Sequence, residues 1–64
     1  MFRRIRDLRE DSDRTQRELA QILGCSQQVY SNYELGQRDI PTDILIKLSK
    51  LYNVSVDYIL DLED

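Results

Sequence analysis

The sequence predicts an all-α fold, a compact bundle of five short helices. Three observations carry this. Apolar residues recur at spacings of three and four in segment after segment. No segment alternates polar and apolar as a half-buried strand would. Helix-start residues (Thr15, Ser26, Thr42, Ser55) and helix-stop residues (Gly24, Gly36, Asn53) alternate along the chain. Sixty-four residues make one domain, 1–64, and such a chain buries only ~60% of its unfolded surface.

Helix one is expected over 2–12. Phe2, Ile5, Leu8 and Arg9 share a face, so Arg9 must snorkel to water or find a partner. Ser12-Asp13-Arg14 is a polar connector. Thr15 opens helix two with Glu18 three residues on, the spacing of a capping box. Leu19, Ala20 and Leu23 form its inner stripe, with Ile22 beside it, and Gly24 ends it. Ser26 caps helix three, which runs to about Leu35 and stops at Gly36. Tyr30, Tyr33 and Glu34 face inward. Gln27, Gln28, Val29, Ser31 and Asn32 lie mostly outward. Gln37–Pro41 is a loop, and Thr42 is the expected cap of helix four, about 42–52, with Ile44, Leu45, Leu48, Leu51 and Tyr52 inward and Lys47 and Lys50 outward. Asn53-Val54 breaks it. Ser55 caps a short fifth helix with Val56, Tyr58, Ile59 and Leu60.

Composition narrows the chemistry. With one Cys and no His, no internal disulfide forms and no ordinary zinc or iron site is expected. No nucleophile–base pair and no phosphate loop is read, so neither an enzyme nor a cofactor is expected. No apolar run approaches the ~18 residues of a membrane span, and the charged start Met-Phe-Arg-Arg-Ile-Arg leads into no apolar stretch. The expected location is cytoplasmic, away from any membrane. The net charge of −3 counts against nucleic acid. Its distribution matters more: residues 1–40 balance seven Arg with seven acids, and the excess lies in 41–64, with two Lys against five acids.

An outer helix-three face of Gln, Gln, Ser and Asn, without Lys or Glu, is unusual for mere solvation. Amide side chains suit bidentate pairing with adenine N6 and N7, and Val29 suits a thymine methyl. Thr15 to Gly36 is therefore read as a helix-turn-helix that puts Ser26 to Asn32 into the major groove of double-stranded DNA. Tyr30 and Tyr33 are read as core in preference to stacking platforms. Ser31 is either a base contact or a small residue permitting close approach. Cys25 is read as a plain turn residue, a redox sensor needing an exposed low-pKa thiolate.

The ordered fragments Thr15-Gln16-x-x-Leu19-Ala20, Gly24, Ser26-Gln27-Gln28, Ser31-x-Tyr33-Glu34-x-Gly36, Arg38, Pro41 and Asn53-Val54-Ser55-Val56-Asp57-Tyr58-Ile59-Leu60 resemble the Cro/repressor type of helix-turn-helix domain, also called the xenobiotic-response-element family. The resemblance covers almost the whole chain. It implies the lambda-repressor-like five-helix arrangement and transcriptional regulation, repressor-like, as a homodimer on half-sites about one helical turn apart. It implies base reading by Gln27, Gln28 and Asn32 and backbone anchoring by Gln16, Arg38 and Gln37; Ser26 and Arg14, the latter a departure from the family pattern, are read as further backbone anchors. It also implies a buried ion pair between Arg9 and Glu34. Two departures stand out: Asp13 and Arg14 replace the usual Gly and apolar residue before Thr15, and Gln37 and Asp39 stand where a basic residue is common. The alternative reading is a protein–protein interaction module on the same scaffold. The chain reads as a small regulator or as the N-terminal domain of a longer one. Val56, Ile59 and Leu62 are the expected exposed apolar candidates for a dimer surface.

Overall fold

The computed structural model describes residues 3–62. Among these it contains five helices and no strand: α1 (Arg3–Asp11), α2 (Gln16–Leu23), α3 (Gln27–Leu35), α4 (Thr42–Tyr52) and α5 (Val56–Ile59). Phe2, expected on the inner face of helix one, lies outside the described residues.

The helix starts follow the local chemistry of the chain. Thr15 accepts the Glu18 N–H at 3.1 Å and donates its own N–H to the Glu18 carboxylate at 3.0 Å, so the capping box is formed at both ends. Ser26 accepts the Val29 N–H at 3.1 Å, and Ser55 accepts that of Tyr58 at 3.0 Å. Helix four departs from the expectation. Its cap is Pro41, with no side-chain hydrogen bond, and Thr42 is the first helical residue. Proline at that junction is already fixed near φ −65°, so the entry to α4 needs no side-chain oxygen.

The stops share one device. Asp13, Gly24, Gly36, Asn53 and Asp61 all have φ between 55° and 75°. In each case the next N–H reaches back to a carbonyl in the preceding turn, as Cys25 does to Ala20 at 3.0 Å and Gln37 to Asn32 at 3.0 Å. The Asp13 departure therefore leaves the turn intact. Aspartate takes the left-handed conformation there, with Arg14 N–H on Arg9 O at 3.2 Å.

The core is one cluster of Ile5, Leu19, Ala20, Leu23, Tyr30, Tyr33, Ile40, Ile44, Leu48 and Ile59. The two helices of the central motif pack closely on each other; α1 lies against α3 and α5, and α4 against α5. Ile59 corrects the sequence reading. It is 1% exposed and belongs to the core, so it is no part of a dimer surface. Val56 is half-buried, and Leu62 is exposed. Ile22, expected beside the inner stripe, is also exposed, as are Leu35 and Ile46. No helix among the described residues is long and apolar enough to cross a membrane.

Candidate nucleic-acid interface

The candidate surface is built by α3 and the first turn of α2. Tyr30, Tyr33 and Glu34 turn into the core, which fixes the rotation of α3 and leaves its opposite face outside. On that face Gln27 and Gln28 are exposed, while Ser31 and Asn32 are half-buried. Gln28 Nε2 donates to Asn32 Oδ1 at 3.1 Å, one helical turn away. This bond holds two of the sequence-predicted base readers as a unit, with the Gln28 carbonyl and the Asn32 amide nitrogen at its ends. Val29 is half-buried and packs against the core, so less of it faces outward than the sequence suggested.

Gln16 joins this face from α2. It lines a shallow, open concavity together with Gln27, Gln28 and Ser31. Three glutamine amides and a hydroxyl in one depression form a neutral surface rich in donors and acceptors, suited to base edges and phosphate oxygens. The other predicted anchors are spread around it. Gln37 and Arg38 are exposed in the loop after α3, and Ser26 is exposed at the helix start. Arg14 is half-buried, and its carbonyl accepts Arg9 Nη1 at 3.0 Å.

The expected ion pair lies directly behind the face. Arg9 Nε donates to Glu34 Oε2 at 2.7 Å, and Nη2 donates to Oε1 at 3.3 Å. The Glu34 side chain is 4% exposed and that of Arg9 is 14%. Arg9 thus found a partner; it does not snorkel. Gln16 Nε2 donates to the same Glu34 Oε1 at 3.0 Å, a bond that spacing alone did not suggest. Burial by itself would raise the Glu34 carboxyl pKa. The hydrogen bonds from Arg9 and Gln16 and the nearby Tyr30 hydroxyl outweigh it and hold the group below its ordinary value. The Tyr30 hydroxyl is buried and falls short of a formed hydrogen bond. Burial first, and then the Glu34 carboxylate, push its pKa up.

Cys25, in the turn between α2 and α3, is half-buried, and burial raises its pKa against the opposing pull of Arg38 and Lys47. A raised pKa opposes the thiolate a redox sensor needs. Lys47, which the sequence marked only as outward, lies in electrostatic reach of the turn. Among the described residues, no group of three or more His, Cys, Asp or Glu is placed to hold a metal ion.

A helix-turn-helix family model matches residues 5–59. The chain belongs to that family. The match runs from the first buried residue of α1 to the last of α5, so it spans the whole core. Among curated relatives, the HTH-type transcriptional regulator ImmR of Bacillus subtilis is 47% identical over 58 residues, 91% of this chain and 46% of that protein. The uncharacterized HTH-type transcriptional regulator YobD of the same organism is 43% identical over 61 residues, covering 95% and 54%. The cryptic phage CTXphi transcriptional repressor RstR of Vibrio cholerae is 36% identical over 53 residues, covering 83% and 48%. The chain therefore spans about half the length of these relatives. No solved structure matches.

Proposed function

We propose that this chain is a sequence-specific DNA-binding domain of a transcriptional regulator, repressor-like and homodimeric, that reads the major groove with α3. The observation that carries the reading is the single face formed by Gln16, Gln27, Gln28 and Ser31, in a helix-turn-helix domain whose relatives are named transcriptional regulators. Gln27, Gln28 and Asn32 read base edges; Ser31 and the exposed part of Val29 contribute contact. The first turn of α2 offers backbone N–H groups to a phosphate, with the Gln16 side chain beside them. Arg38 and Gln37, in the loop after α3, grip the backbone, and Ser26 and Arg14 add further backbone contacts.

Dimerisation follows from magnitude. Each good bidentate base contact gives about 1–3 kcal/mol of discrimination, and one copy has about three readers. Two copies on two half-sites double the contacts and raise the effective concentration of the second.

The test separates readers from anchors. Gln28→Ala is expected to weaken binding to a selected site by about 1–3 kcal/mol while leaving non-specific affinity nearly unchanged. Arg38→Ala is expected to weaken all duplexes alike and to reduce the salt slope by about 1. An equal loss on every sequence for Gln28→Ala assigns it to the backbone and removes it from the reading set. The second reading, a protein-interaction module, draws on the net charge of −3 and predicts no measurable duplex binding.

A further inference from the structure

Gln16 borders two different surfaces. It lines the open concavity with Gln27, Gln28 and Ser31, and it also lines the cleft behind it with Arg9, Glu34 and Leu35. Its amide nitrogen is bonded to Glu34 Oε1 at 3.0 Å, on a carboxylate that Arg9 grips through two nitrogens. Glu34 is 5% exposed and belongs to no outward face.

We propose that Glu34, held by Arg9, is a positioning residue of the DNA interface, acting through Gln16. The proposal rests on the DNA-binding reading above. An ionised carboxylate only accepts hydrogen bonds. It therefore dictates which end of the Gln16 amide faces inward: the NH2 group must, and the carbonyl cannot. One N–H is committed to Glu34. The second N–H and the carbonyl oxygen remain for the surface, in an orientation the amide does not choose for itself. That leaves a fixed donor for a phosphate oxygen and a fixed acceptor toward the glutamines of α3. Without the carboxylate, the amide rotates freely and its two ends become interchangeable.

The arrangement also resolves a charge conflict. A bare carboxylate close behind a phosphate-binding side chain would repel the DNA. Arg9 neutralises it, so Glu34 contributes orientation without net field. The link ties α1 to the DNA-facing surface: Arg9 lies on α1, Glu34 on α3 and Gln16 on α2.

The experiment is a double-mutant cycle on duplex affinity, using a selected site and a random duplex, at a temperature where circular dichroism shows each protein folded. Gln16→Met keeps the length of the side chain, removes both amide ends and leaves the Arg9–Glu34 pair in place. It is expected to weaken binding to both duplexes about 2- to 10-fold, the range of one neutral hydrogen bond. The salt slope should not change, because a neutral contact releases no counterion. Glu34→Gln is expected to cause a similar loss in the wild-type background and none in the Gln16→Met background. Equal losses in both backgrounds would mean that Glu34 acts through the fold alone and would overturn the proposal. So would undiminished binding by Gln16→Met. Absence of duplex binding by the unaltered protein would instead defeat the DNA-binding reading beneath it.

Should Glu34→Gln not fold, the unaltered protein decides the matter by NMR. One Gln16 side-chain amide proton is expected to lie away from its free-glutamine position before DNA is added, and the other to move on addition of duplex. A pair at the positions of free glutamine, unmoved by DNA, would overturn the proposal.

Discussion

Glu34 is the residue on which the most depends. Its carboxylate takes hydrogen bonds from Arg9 and Gln16 in a site nearly closed to water. Removing one member of a buried ion pair leaves the other charge uncompensated, at a cost of ~3–5 kcal/mol; the lower end applies here because Arg9 keeps some access to water. Glu34→Gln is thus expected to lower the unfolding free energy at pH 7 by about 3 kcal/mol in urea titrations. The pH dependence has a fixed sign. The folded pKa lies below the ordinary value of 4.5, so the carboxylate's contribution is complete above that value and is lost as pH falls through the folded pKa. The gap between wild type and Glu34→Gln should therefore narrow only below about pH 4.5. A gap independent of pH would show that the ionised form of Glu34 adds nothing to stability. The pair itself was legible only as a resemblance; from the residues, Arg9 on an apolar face left snorkelling and a partner both open. The Gln16 bond was not legible. It joins residues 18 apart through a side chain that equally well faces solvent.

At the scale of elements, punctuation decided what the sequence revealed. Capping boxes and left-handed stops are local, so α2, α3 and their turn were read nearly to the residue. Thr15→Ala is expected to lower stability by about 1 kcal/mol, seen as a shifted urea midpoint, and to leave the fold unchanged. No shift would mean that the capping box contributes nothing beyond solvent. The last helix shows where local reading fails. α5 spans only Val56–Ile59, a single turn, and a single turn contains no period from which to read an inner face. Val56, Ile59 and Leu62 share a three-residue spacing, yet Ile59 is buried and Leu62 is exposed. Tertiary packing against α1 and α4 made that choice. Ile59→Asp should therefore fail to fold, by circular dichroism, because it places a charge in the core. A folded Ile59→Asp protein would contradict the placement of α5. The Thr42 misassignment has the same origin: both Pro41 and Thr42 suit a helix entrance, and only the backbone path distinguishes them.

The whole molecule presents one polar, almost uncharged face on an acidic chain. Its net charge is −3, and no Lys or Glu lies among Gln27, Gln28, Ser31 and Asn32. The negative excess falls in residues 41–64, away from the sequence of α2 and α3. Under the proposed function, few phosphate-pairing cations mean weak attraction to DNA in general, and a larger share of affinity would fall to the amide contacts and to the proposed pairing of two copies. That balance suits a regulator whose preference for its site depends more on direct reading than on charge. The measurement that tests this most directly is selection of the protein's binding sites from random duplex DNA at low salt, repeated on the winning sequence near physiological salt. The predicted result is a palindrome with half-sites about one helical turn apart, still bound at the higher salt. No enrichment, or binding that disappears with salt, would contradict it.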